Sequence, residues 1–243
     1  MAARIRMALL AASTALLTAC GSPLYLWDTH TTSTPRTRGL ELAEVGRQPV
    51  AVLPVVAPGA LQGFSASVSH ALVRTLPELT PPLSALATPD VVNVVNTRGL
   101  TADYADLLGG FGRSGILERE RLGRLGTALD CRYALLPGIT AFDHSLLDRF
   151  EMFGVKIVRT RVLVLRLWLQ LWDTRTGELV WESAGEGAVV TELANSSRVI
   201  AVDEVAQKIW KRMLEDGLVA GKLSSRAPIP SRSVDLWPTS VQD

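Results

Sequence analysis

Val155-Lys156-Ile157-Val158-Arg159-Thr160-Arg161-Val162-Leu163-Val164-Leu165-Arg166-Leu167-Trp168-Leu169-Gln170-Leu171-Trp172 decides the fold. Leucines 163, 165, 167, 169 and 171 point one way. Val164, Arg166, Trp168, Gln170 and Trp172 point the other, the period-2 pattern of a β-strand with two differently furnished faces. Asp173-Thr174-Arg175-Thr176-Gly177 follows as a turn, with glycine placed for positive φ. Glu178 to Val190 returns as the partner strand, so the centre of the chain is a long β-hairpin.

Working outward, Tyr133 to Phe142 reads as the preceding strand, with Pro137-Gly138 interrupting its register. His144 to Gly154, carrying Asp148, Arg149 and Glu151, reads as a connection. Upstream, Pro49 to Val56 is a short continuous apolar run, as expected of a strand covered on both faces. A helix follows with Phe64, Val68, Leu72 and Leu76 on one stripe, halted at Pro77. Val91-Val92-Asn93-Val94-Val95 reads as a second short strand. Helices are predicted around 102–108 and over 117–129, the latter with Leu122, Leu125 and Leu129 inward. A last helix over 199–216 carries Val202, Val205, Ile209 and Met213 on its core side, with Gly217 as its cap. This order predicts an α/β (α+β) fold: a mixed β-sheet with a long C-terminal β-hairpin and helices on its faces.

The N-terminus carries an address. Arg4 and Arg6 precede an apolar stretch from Met7 to Leu17, too short to span a bilayer and shaped as a signal segment. It ends in Leu17-Thr18-Ala19-Cys20-Gly21, which resembles a bacterial lipobox, so Cys20 is the expected lipidation site and residues 1–19 the expected lipoprotein signal peptide. By resemblance to the lipoprotein sorting rule, Gly21 and not Asp after the cysteine implies the outer membrane. Residues 20–48, rich in Thr, Pro and Arg, read as a lipidated N-terminus and flexible tether. Residues 49–219 are then the periplasmic domain, and 220–243, with Pro228, Pro230 and Pro238, a loosely ordered tail.

The 243 residues carry a net charge of +1, and 20% are charged. No basic excess exists to neutralise a row of phosphates, so nucleic acid is excluded as a partner. Two cysteines cannot build a disulfide framework or a cysteine-rich zinc site. Mean hydropathy is +0.21, part of it contributed by the leader and part by the Leu-rich hairpin. Cys131, opening an apolar run, is expected to be buried.

Three stretches resemble one known group: Pro49 to Pro54, Leu122 to Gly138 and Leu169 to Trp181. They are similar to the opening strand, the helix-to-central-strand passage and the hairpin of certain periplasmic lipoproteins. Those include the curli-secretion channel protein, the outer-membrane activators of peptidoglycan synthases and the exopolysaccharide-export lipoproteins. The resemblance implies a TolB-N-terminal-like, anticodon-binding-domain-like fold over roughly residues 48–216. It implies no enzyme, no catalytic residue and no cofactor.

Other candidate chemistry is sparse. Gly110-Phe111-Gly112-Arg113-Ser114-Gly115 matches G-x-G-x-x-G but follows a predicted helix and not a strand, so it reads as a glycine-rich loop. Asp143-His144-Ser145 has the residue types of a hydrolytic triad, but sequence neighbours point different ways. No spacing suggests a metal site. Arg166, Trp168, Trp172 and Trp181 are the expected partner-binding cluster, Trp168 and Trp172 on one strand face and Trp181 approaching across the turn. The alternative is that a helix covers this face.

The expectation is a non-enzymatic outer-membrane lipoprotein, held by acyl chains on Cys20, whose periplasmic domain binds an envelope protein as an accessory to export or cell-wall assembly. Two alternatives accompany it: a subunit of a homo-oligomeric secretion channel, and an envelope hydrolase using His144 or Ser145.

Overall fold

The computed structural model describes residues 26–35, 40–152, 155–192 and 201–220. Six strands, β1 (Leu26–Pro35), β2 (Val50–Val52), β3 (Ala85–Leu86), β4 (Tyr133–Met152), β5 (Val155–Asp173) and β6 (Leu179–Glu192), form one mixed sheet in the order β1-β6-β5-β4-β2-β3. β2 runs parallel to both β3 and β4, and the other pairs are antiparallel. Six helices complete the α+β architecture: α1 (Leu42–Val45), α2 (Ser65–Thr75), α3 (Thr88–Thr97), α4 (Thr101–Ser114), α5 (Arg119–Leu129) and α6 (Val202–Met213). Among the described residues no helix is long and apolar enough to cross a membrane.

Alternation along the strands divides the core into two layers. Leu163, Leu165, Leu167, Leu169 and Leu171 join Leu135 and Val189 against Leu72 of α2 and Ile209, Trp210 and Met213 of α6. Each buried aliphatic side chain of this kind contributes about 1.5–3 kcal/mol. The Trp210 Nε1–H donates to the Val68 carbonyl at 3.1 Å, so α6 is tied to α2 by a hydrogen bond inside the apolar layer. On the other face, Ala134, Leu136 and Trp172 meet Val91, Leu107, Leu122 and Leu125 from α3, α4 and α5.

At the hairpin turn Gly177 has φ 75°. Asp173 accepts the backbone N–H groups of Arg175 and Thr176, at 2.8 and 3.2 Å through Oδ1, and the Arg132 Nε–H at 3.0 Å through Oδ2. One buried carboxylate thereby closes the turn and fixes it to the start of β4.

Several expectations change. Val91 to Val95 is helical, part of α3: Thr88-Pro89-Asp90 opens a helix with proline in its first turn, and Val91 and Val95 lie one turn apart on the buried side. Residues 26–35, within the stretch read as a tether, form β1 and pair with β6 along ten positions. Of the His144 to Gly154 stretch read as a connection, residues 144–152 continue β4 and pair with β5 out to Met152 opposite Val155. Gly110 to Ser114 are helical within α4, and Gly115 caps it with φ 70°, so no glycine-rich loop exists there. Cys131 is buried as expected. The signal segment, Cys20 and residues 221–243 lie outside the described residues.

Candidate partner-binding face

The two helical layers do not match in extent. α1, α2 and α6 back the leucine face of the sheet. On the opposite face α3, α4 and α5 cover the β3-β2-β4 end and stop at Trp168, which packs on Phe111 with ring centroids 5.9 Å apart. Beyond Trp168, strands β5, β6 and β1 present half-buried and exposed side chains, and among the described residues no helix lies over them.

The register orders this open face into rungs. Ala141, Arg166, Glu186 and His30 form one, in which Arg166 and Glu186 make an ion pair. Trp168, Ala184 and Thr32 form the next. Gln170, Glu182 and Thr34 form a third, with the Gln170 side-chain amide donating to the Glu182 carboxylate at 3.5 Å. Towards the other end lie Val164 with Ala188, flanked by Asp143 and Asp28, and Val162 with Val190, flanked by Ser145. Between Trp168 and Glu182 sits a shallow hollow of about 240 Å³, lined also by Thr32, Thr34, Gln170 and Ala184. An aromatic wall, an acceptor carboxylate and hydroxyl donors around one depression can receive a side chain that is apolar at one end and a donor at the other.

Of the four residues expected to form the cluster, three lie on this side of the sheet. Arg166 and Trp168 are on the open face. Trp172 is on the same side but only 4% exposed, beneath the helical layer, with its Nε1–H donating to Gln170 Oε1 at 3.1 Å. It therefore orients Gln170 and offers no surface of its own. Trp181 is separated from the others. It pairs with Leu171, so it points to the leucine face, where it is 1% exposed beside Gly217. The register shift at Leu171/Trp172 and the parity of the hairpin set that outcome.

The hydrolytic residues are likewise divided. Asp143 pairs with Val164 and Ser145 with Val162 on the open face, whereas His144 pairs with Leu163 and points to the opposite one. All three are exposed. Among the described residues no group of three or more His, Cys, Asp or Glu side chains is placed to hold a metal ion.

A second concavity escaped the sequence reading. A mostly apolar groove of about 640 Å³ runs between α2 and α3, past the end of β2, lined by Val55, His70, Val73, Pro89, Val92 and Asn93 among others. Thr88 stands in its floor, donating to the Val52 carbonyl at 3.0 Å. The groove depends on α3 being a helix, and the helix-opening Thr88-Pro89-Asp90 was the signal that could have revealed it.

No family model matches the sequence, and no curated protein matches it. Solved structures do. Two PelC dodecamers from Paraburkholderia phytofirmans are 14% and 13% identical, with TM-scores of 0.44 and 0.42, covering 78% and 79% of this chain and 96% and 98% of theirs. The lipoprotein GNA1162 from Neisseria meningitidis is 15% identical, with a TM-score of 0.37, over 61% of this chain and 86% of its own. A hypothetical protein from Chlamydia trachomatis is 13% identical, with a TM-score of 0.39, over 72% of this chain and 99% of its own.

The remaining electrostatics belong to the scaffold. Arg132 bridges Glu44 and Asp173, and hydrogen bonds to these carboxylates hold its guanidinium firmly charged. Burial, and then the neighbouring Asp130 carboxylate, pushes the Cys131 thiol up to about 11.

Proposed function

We propose that the chain is a non-enzymatic lipoprotein of the outer membrane, acylated at Cys20, whose periplasmic domain binds an envelope protein through the open face of its sheet. It would serve export or cell-wall assembly as an accessory. The observation that carries the reading is the lipobox-like Leu17-Thr18-Ala19-Cys20-Gly21 set six residues before the sheet begins at Leu26. The open face around Arg166, Trp168 and Glu186 supplies the surface. An aromatic side chain flanked by a paired Arg and Glu gives an apolar anchor with a polar rim, the composition of interface hot spots.

Site-specific photo-crosslinking in cells tests this. A photoreactive residue at Ala184, exposed beside Trp168, should yield a discrete adduct to one envelope protein, and the same residue at exposed Thr97 should not. Identical adducts at both positions, or none at Ala184, would sink the reading. Radiolabelled palmitate should enter the protein and be lost in Cys20→Ser.

A second reading, a subunit of a homo-oligomeric assembly, is favoured by β1. This ten-residue strand ends the sheet and offers its outer edge for pairing. A single monomeric species by light scattering at high concentration would dispose of it.

A further inference from the structure

The paired strands β4 and β5 overshoot the rest of the sheet at the end where the N-terminus enters. Leu26 pairs with Val190 and Val190 with Val162, so these three mark a common level across β1, β6 and β5. β5 begins seven residues earlier, at Val155, and β4 is paired with it out to Met152. At about 3.3 Å per residue the β4–β5 arms extend roughly 23 Å past Leu26. Between Cys20 and Leu26 there are only six residue steps, which span at most about 20 Å however the chain runs. The anchor and the hairpin thus leave the domain from the same end of the sheet, with nearly equal reach.

We propose that the outer end of the β4–β5 hairpin rests in the headgroup region of the glycerophospholipid leaflet that holds the acyl chains of Cys20. This rests on acylation at Cys20. Once Cys20 is held in a leaflet, Leu26 stays within about 20 Å of it, and an extension of roughly 23 Å from that level meets the same surface. The composition of the arms suits that depth. Phe150, Met152, Val155, Ile157 and Val158 supply apolar residues, and Arg149, Lys156, Arg159 and Arg161 outnumber Asp148 and Glu151. Apolar residues interleaved with excess Lys and Arg favour the interface of a leaflet containing anionic lipid. The backbone register sets Asp148 opposite Arg159 and Glu151 opposite Lys156. Two such oppositely charged positions between the arms are costly at the centre of a bilayer and are tolerated among headgroups.

The test uses the full acylated chain, reconstituted into phosphatidylethanolamine–phosphatidylglycerol vesicles in a Cys131→Ala background. An environment-sensitive fluorophore is placed at Met152→Cys, at Val155→Cys and, as the control at the opposite end of β5, at Thr176→Cys. A nitroxide near the lipid headgroup should quench positions 152 and 155 several-fold more than position 176. Equal quenching at all three sites overturns the proposal. So does quenching at 152 and 155 that is strongest with nitroxides at the acyl-chain ends, which would mean a hairpin that spans. The mass of the Cys20 peptide is read in the same samples. Acylation without differential quenching removes the hairpin placement alone, whereas an unacylated Cys20 removes the anchor and, with it, the length match.

Discussion

A Cβ added at Gly138 would lie 2.0 Å from Cε2 of Trp168, so the indole occupies the space that any other residue at this position of β4 would claim. The two are cross-strand partners, and the absent side chain on one strand lets the large one on the other lie flat at the edge of the helical layer.

Gly138→Ala is therefore expected to destabilise the domain by about 1–3 kcal/mol, the usual cost of overpacking. Trp168→Ala should cost less in the Gly138→Ala background than alone, because removing the indole relieves the clash. Urea denaturation of both single variants and the double variant checks this, and strict additivity would show that the contact is unimportant.

The Asp173 carboxylate offers a sharper target. Asp173→Ala leaves the turn N–H groups of Arg175 and Thr176 without their acceptor and Arg132 with Glu44 alone. Loss of about 2–3 kcal/mol is expected, discounted from a fully buried pair because Arg132 is one-third exposed. Asp173→Asn, which keeps one acceptor, should recover part of it.

Cys131 should be inert in the native protein. A thiol held up at about 11 is almost wholly protonated near neutrality. Native protein should resist iodoacetamide at pH 8 and react fully once unfolded. The folded-state value lies above that of the unfolded chain, so the thiol's contribution to stability is complete below about pH 9 and is lost between about 9 and 11. In Cys131→Ala the fall in stability across that window should be shallower.

β1 should behave as part of the domain in hydrogen exchange. Trp27 stacks under the Lys208 ammonium at 3.3 Å, and Ser33 faces Gly217 just beyond α6. A Cβ at Gly217 would stand 1.9 Å from Ser33 Oγ. Gly217→Ala should accordingly lower protection of the β1 amides before those of β5. Full exchange of β1 within seconds in the unaltered protein would contradict its pairing.

The hairpin was legible because burial of one face imposes a period of two, and Leu163 to Leu171 display it without a break. β1 was not. An edge strand with one half-exposed face needs no apolar stripe, and Thr29, Thr31, Thr32 and Thr34 serve β structure through their branched side chains as well as they suit a linker. The outer part of β4 was hidden for a related reason. Its pairing sets opposite charges across from one another, so charged residues there extend the ladder and do not mark a break. α3 shows the opposite error: four valines in five residues look like a strand, but the helix start at Thr88-Pro89 and packing at Val91 and Val95 override them. At the candidate site, Arg166 and Trp168 were legible from strand parity. Trp181 was misplaced because parity across a turn depends on the bulge at Leu171/Trp172, which leaves no local signature.

The pairing of β1 also sets how the domain bears load. A pull on the N-terminus enters at Leu26 and runs along the strand axis, so it is resisted in shear by the whole ladder from Leu26↔Val190 to Pro35↔Trp181 together. A pull across the sheet, at right angles to β1, would instead unzip the same bonds one at a time. A load carried along the strand axis therefore meets the ladder in its mechanically strong direction.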